Sequence, residues 1–192
     1  MKQLVLASTS PSRRELLQRL HYPFVTVAPL ADETPLPAES PEQLVQRLAE
    51  AKALSVRQQF PDALIIGCDQ VAVVGETILG KPGDHQRAVA QLQRLSGQLV
   101  RFVNGLVLYN AATGRCHKDV IVFAVTFRTL DAARIERYLH QEQPYHCAGS
   151  FKSEQLGIAL CEAFHGEDPT ALVGLPLIRL VTWLELEGVV VP

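Results

Sequence analysis

A run of hydroxyl and guanidinium groups, Ser8-Thr9-Ser10-Pro11-Ser12-Arg13-Arg14, follows directly on the short apolar stretch Leu4 to Ala7. Ser10 suits a helix N-cap and Pro11 a first helical position. A strand that feeds a serine-rich turn, a helix N-terminus and two arginines makes a cradle for an anion. Unpaired N–H groups, the helix dipole and the guanidinium forks all favour phosphate there. A capped helix with solvated arginines explains the same residues, and this segment alone does not decide between the two.

Asp69 is the acid best placed for chemistry. It lies between two apolar runs, Ala63 to Gly67 and Val71 to Val74. A carboxylate at the C-terminal edge of a buried strand points into the crevice where α/β proteins bind ligands. It can hold a divalent cation or take a proton from water; the alternative is a turn aspartate that caps its own backbone. Lys81, in Gly80-Lys81-Pro82, offers a point charge suited to phosphate oxygens, although a loop lysine is usually just solvated. Lys52, among Ala51, Ala53 and Leu54, lies near the apolar stripe of a helix, where reaching out to solvent is the default. Gly149-Ser150-Phe151-Lys152-Ser153-Glu154 forms a polar insert whose plain reading is a surface turn. His146-Cys147 does not make a nucleophile–base pair, because neighbours on a strand face opposite ways; Cys147 is expected to be a buried apolar residue. The six histidines show no local ligand spacing such as HxxxH, which argues against zinc.

The elements that position these groups follow from periodicity and breakers. Strands are predicted over Gln3–Ala7, Phe24–Val27, Ala63–Gly67, Val71–Val74 and Val120–Arg128. Helices are predicted from Pro11 with Leu16, Leu17 and Leu20 inward, from Pro41 to about Gln59, from Asp84 through Leu95, from Asp131 through Tyr138, and from Gly174-Leu175-Pro176 through Glu187. Leu99 to Tyr109 contains Asn104-Gly105, a hairpin signal, but a second turn signal at Asn110–Gly114 favours one long bent strand. Pro29, Pro35, Pro37 and Pro41 make the stretch between them a long loop. Alternation in the first half and antiparallel pairing in the middle give an α/β fold with a mixed sheet, in a single domain over residues 1–192.

Composition narrows the partners. Eighteen Lys+Arg against 20 Asp+Glu leave a net charge of −2, unlike domains that hold nucleic acid by bulk electrostatics. No apolar run approaches the ~18 residues that span a bilayer. The four cysteines form no CxxC pair, as expected for reduced thiols in a cytoplasmic protein.

Together the motifs resemble the Maf family of house-cleaning nucleoside triphosphate pyrophosphatases. The match rests on Leu4-Val-Leu-Ala-Ser-Thr-Ser-Pro11 with Arg13, Asp32-Glu33, Ala51-Lys52-Ala53, Gly67-Cys-Asp69-Gln70-Val71, Gly80-Lys-Pro82, Phe151-Lys-Ser-Glu154 and Gly174-Leu-Pro176. The resemblance covers essentially the whole chain. It implies two lobes around a central cleft, akin to inosine triphosphate pyrophosphatases, and hydrolysis of a nucleoside triphosphate to monophosphate and pyrophosphate. It implies Asp69 as proton acceptor, and Ser8, Arg13, Lys52, Lys81 and Lys152 as substrate-binding residues. Glu33 with Asp69 is implied for a divalent metal, Mg2+ or Mn2+ by the oxygen donors. A homodimer is also suggested.

Three positions depart from the commoner pattern of the family. Ser12 replaces an arginine, Gln70 a threonine and Glu154 a glutamine, which resembles the branch acting on 7-methyl-GTP rather than the one acting on dTTP and UTP. The first and last changes make the pocket more negative if both face the base, as the cationic 7-methylguanine prefers. A carboxylate also accepts two hydrogen bonds from the guanine N1–H and N2–H2 edge. The rivals are the same chemistry on dTTP or UTP, and a non-catalytic regulator of cell division.

Overall fold

The structure, a computed structural model, describes residues 2–191. The chain runs β1 (Leu4–Ala7), α1 (Pro11–Gln18), β2 (Phe24–Val27), α2 (Pro41–Ser55), β3 (Leu64–Val74), β4 (Thr77–Leu79), α3 (His85–Leu95), β5 (Leu99–Asn110), β6 (Cys116–Phe127), α4 (Ala132–Glu142), β7 (Cys161–His165), α5 (Pro169–Val173) and α6 (Leu177–Leu186). The strands form one mixed sheet ordered β2-β1-β3-β5-β6-β7, with β4 paired to β3. β1 lies parallel to both β2 and β3, whereas β3–β4 and β6–β7 are antiparallel. Among the described residues, no helix is long and apolar enough to cross a membrane.

Local chemistry sets most boundaries. Ser10, Ser40, Asp84 and Asp131 each cap a helix by accepting a backbone N–H, and Ser40 with Gln43 completes a capping box. Elsewhere tertiary pairing overrides the sequence reading. The two strands predicted around Asp69 are one strand, β3, which runs unbroken through Cys68-Asp69-Gln70, so Asp69 is not the turn residue that its type allowed. The turn comes at Gly75, whose φ of 55° opens the two-residue connection to β4. α2 stops at Ser55 rather than Gln59, and the chain continues in tighter turns through Arg57 N–Leu54 O and Gln59 N–Val56 O bonds. α1 ends before Leu20, close to His21 in the left-handed region at φ 50°. α4 runs on to Glu142, and β6 starts at Cys116 rather than Val120. His146-Cys147 lies in a bend, not a strand, and Cys147 is only half-buried.

The chain forms two compact units, divided inside β3, β5 and β6. The first holds the described residues up to Asp69, Asn104–Ile121 and those from Gly174 on. Its core includes Val5, Ala7, Ala49, Ala53, Val56, Ala63, Ile65 and Val107. Small residues let α2 lie directly on the strands. A Cβ on Gly67 would stand 2.0 Å from the Ala49 carbonyl oxygen, and one on Gly105 2.1 Å from that of Val45. That close approach explains why Asn104-Gly105 makes no hairpin: the glycine admits a helix backbone, and Asn104 Nδ2 donates to Ile121 O. The second unit holds Gln70–Val103 and Val122–Val173. There Phe151 packs against Phe102 and Phe127 with ring centroids 5.6 and 5.0 Å apart, and α3 packs on α4.

Candidate active site

In the first unit the site is built at the end of the β1–β3 parallel pairing. The register with β1 ends at Ile66, and β3, which pairs with β5 on its other side, continues past it to Asp69. The carboxylate therefore emerges at the C-terminal edge of the parallel strands. Lys52, three turns into α2, crosses it. Its ammonium lies 2.6 Å from Asp69 Oδ1 and 2.7 Å from Glu33 Oε1. The lysine side chain is only 8% exposed, so it does not reach out to solvent as the helix pattern suggested. The reason is tertiary: β3 supplies a carboxylate where the helix alone offers only an apolar edge. Burial keeps the pair weakly screened.

Glu33 sits on the long proline-rich loop, and that loop is pinned. Arg47 of α2 grips Glu39 in a two-point fork, Nε–Oε1 2.6 Å and Nη2–Oε2 2.7 Å, and Nη2 also donates to Thr34 O. The fork holds the Glu39 carboxyl down to about 2. Asp32 Oδ1 accepts from Thr34 N, a local turn that fixes the residues flanking Glu33; hydrogen bonds from the Thr34 side chain and then its backbone lower the Asp32 carboxyl. Neither Arg47 nor Glu39 stood out in the sequence, where a charged pair eight residues apart across a helix start carries no motif.

Ser8 and Arg13 hold the turn before α1. Ser8 is buried and its Oγ accepts from Ser10 N at 3.2 Å. Arg13 is tied to backbone: Nε donates to Gly174 O and Nη1 to Cys68 O, both at 2.8 Å. One guanidinium thus joins α1, β3 and the entry to α6, one residue before Asp69. Gly174 adopts φ 114°, and its carbonyl also accepts the Cys68 thiol at 3.1 Å. Ser12 is half-buried on α1.

The remaining candidates belong to the second unit. Gln70 spends both amide N–H donors on α5, at Ala171 O (2.9 Å) and Leu172 O (3.1 Å). Lys81 is exposed on a loop anchored at both ends, by Gly149 N to Gly80 O and by Gly83 N to Tyr145 O. The segment Gly149–Glu154 is more than a surface turn. A Cβ on Gly149 (φ 65°) would stand 3.0 Å from that of Ala72, Ser150 is fully buried and donates to Gln91 Oε1, and Phe151 enters the aromatic core. Tyr138 Oη accepts from Lys152 N, and a Cβ on Gly157 would stand 2.1 Å from the Lys152 carbonyl oxygen. These contacts set the backbone that presents Lys152 and exposed Glu154. Lys81, Lys152 and Glu154 all act electrostatically on Cys147. Burial first, then Glu154, push its thiol up against the pull of the two lysines, so a thiolate nucleophile is disfavoured.

A model of the family described as "Maf-like protein" matches residues 3–187. The chain belongs to the Maf family. A protein of Nitrosococcus oceani named "7-methyl-GTP pyrophosphatase" is 58% identical over 185 residues, covering 96% of this chain and 93% of that one. Proteins of the same name from Pseudomonas fluorescens and Vibrio vulnificus are each 54% identical, covering 100% and 97% of this chain and 100% and 95% of their own. Among solved structures, the Staphylococcus aureus Ham1 protein shares the fold at a TM-score of 0.56 and 12% identity, over 97% of this Maf chain and all of its own.

Proposed function

We propose that this Maf protein is a pyrophosphatase that hydrolyses 7-methyl-GTP to 7-methyl-GMP and pyrophosphate. The carrying observation is full-length similarity, at 53–58% identity, to relatives that bear that activity as their name. The residue chemistry supports the same reading. Where the other branch of the family has Arg, Thr and Gln, this chain has Ser12, Gln70 and Glu154. The exchange of arginine for serine removes a positive charge, and that of glutamine for glutamate adds a negative one. Both favour a base carrying the delocalised charge of N7-methylguanine.

The carboxylates of Glu33 and Asp69 converge on one cationic nitrogen, so this place is already built to hold positive charge with oxygen ligands. That donor set fits a hard divalent cation, Mg2+ or Mn2+, with Glu33 and Asp69 as its protein ligands. When bound there, such a cation would supply positive charge against the triphosphate and the departing pyrophosphate. In this reading Ser8, Arg13, Lys52, Lys81 and Lys152 bind the phosphates. Asp69 orients a water and accepts its proton as the oxygen adds to the α-phosphorus. The bond from that phosphorus to the bridging oxygen then breaks, and pyrophosphate leaves.

The test is pyrophosphate release with Mg2+ from a panel of 7-methyl-GTP, GTP, dTTP and UTP. Highest kcat/KM on 7-methyl-GTP is expected, and highest on UTP or dTTP overturns the choice of base. Absence of turnover on every triphosphate, with capture of a protein partner, would point to the non-catalytic reading. The double variant Ser12→Arg/Glu154→Gln is expected to shift the ranking toward unmethylated bases; an unchanged ranking overturns the charge explanation.

A further inference from the structure

We propose that His85, Glu136 and His140 form a binding site for a zinc-class transition-metal ion in the second unit, built of side chains that the proposed hydrolysis does not use. His85 is the first residue of α3, and Glu136 and His140 lie one turn apart on α4. His85 Nε2 stands 2.9 Å from Glu136 Oε2, and His140 Nε2 stands 3.5 Å from the same oxygen. Each residue offers one ligand atom, and these atoms all lie within 4.8 Å of one another. Tetrahedral zinc, with bonds of about 2.0–2.1 Å, holds its ligand atoms about 3.3 Å apart. The two separations to Glu136, 2.9 and 3.5 Å, bracket that value, and the two imidazoles are within 4.8 Å, so side-chain rotations suffice to close the set around a metal. Two imidazoles and one carboxylate with an open fourth position are a zinc-type set, unlike the all-oxygen set that suits Mg2+.

A supporting shell orients the first ligand. Tyr145 Oη lies 3.0 Å from His85 Nδ1, and Tyr145 O accepts from Gly83 N, so the start of α3 is held to the chain leaving α4. Gln143 in the left-handed conformation (φ 46°) turns the chain back for this contact. A phenol both donates and accepts, so it serves two states. Without metal, Tyr145 O–H donates to Nδ1 while Nε2–H donates to Glu136. With metal, Nδ1–H donates to Tyr145 Oη and the Nε2 lone pair binds the ion, the arrangement that outer-shell partners usually impose. The Glu136 carboxylate, which both imidazoles approach, supplies the negative charge that favours a cation there. Bound metal would staple α3 to α4. The site is invisible to local spacing because His85 and Glu136 are 51 residues apart.

The test uses the full-length chain stripped by chelator, with Mg2+ in excess to occupy hard oxygen sites, titrated with Zn2+ in a calorimeter and with Co2+ by visible absorption. Wild type is expected to bind Zn2+ at a single site and to give Co2+ bands of nitrogen and oxygen ligation without a thiolate charge-transfer band. Glu136→Gln and His140→Ala are each expected to weaken binding at least about tenfold, and Tyr145→Phe to weaken it less, as outer-shell changes do. Zn2+ is expected to raise Tm in wild type and not in His140→Ala. No Zn2+ binding by wild type, equal affinity in the wild type and both ligand variants, or a thiolate band would overturn the site. Pyrophosphate release with Mg2+ alone is read separately and decides the hydrolase reading, not this one.

Discussion

Lys52 is the residue on which the site's electrostatics turn. It is buried between two carboxylates, so its removal leaves Asp69 and Glu33 facing one another with no cation between them. Lys52→Met should therefore destabilise the fold by about 3 kcal/mol, the cost of leaving a buried charge unpaired. This is read as a lowered urea midpoint at unchanged m-value. Asp69→Asn keeps the side-chain shape and removes the proposed proton acceptor, so kcat for pyrophosphate release should fall at least about a hundredfold with far-UV circular dichroism unchanged. Near-wild-type turnover at saturating Mg2+ would refute the role given to Asp69. The identity of both residues as candidates was readable from their flanks, but their contact was not. Helical spacing placed Lys52 on an apolar edge, and only the strand lying across α2 shows that a carboxylate meets it there.

The elements carry the site because α2 lies unusually close to β3 and β5. Gly67 and Gly105 admit the α2 backbone, and α2 in turn bears Lys52 and Arg47. Gly105→Ala forces its Cβ against the Val45 peptide, where no flexible side chain can yield. A loss of about 1–3 kcal/mol is expected, together with reduced activity, because the helix shifts with Lys52 on it. Chemical denaturation and kinetics of the same variant check both. Helices with side-chain caps and apolar stripes, such as α1 and α3, were legible because their signals are local. β4, β7 and α5 passed unseen: they are only three to five residues long, and their pairing partners or packing decide them. Asn104-Gly105 shows the same limit in reverse. The dipeptide that favours a turn serves here as a seat for a helix.

At the scale of the molecule, Glu187 ties together segments from both ends of the chain. Buried at the end of α6, it accepts from Asn110 Nδ2 (2.6 Å) and His117 Nε2 (2.8 Å) and lies 3.5 Å from Arg115; its backbone carbonyl accepts from Lys2 Nζ. Burial pushes its carboxyl up, but the bonds from His117 and Asn110 and the charge of Arg115 pull it down further, so it ends below the ordinary value. A carboxyl lowered in the folded state stabilises the fold above the unfolded value, and that contribution disappears as pH falls through the folded one. Glu187→Gln should therefore be less stable than wild type at neutral pH by about 1–3 kcal/mol. The gap should narrow as pH falls below the ordinary glutamate value and close once the lowered carboxyl of the folded state has gained its proton. Urea midpoints across pH test this, and a gap that stays constant on acidification would contradict it.

The net charge of −2 is a sum in which opposite charges are sorted into local pairs: Lys52 with Glu33 and Asp69, Arg47 with Glu39, Arg115 with Glu187. By itself the sequence determined the α/β class, the capped helices and the family, because these rest on local periodicity and on motifs in a fixed order. It also named the candidate residues. Only the tertiary structure decided that Lys52 is buried rather than solvated, that Asp69 stands on a continuous strand, that Arg13 and Gln70 hold backbone carbonyls, and that two histidines from different helices share one glutamate. Each of these depends on groups far apart along the chain meeting at hydrogen-bond distance. Their spacing in sequence leaves that distance open, and the packing of α2 on the sheet and of α3 on α4 fixes it.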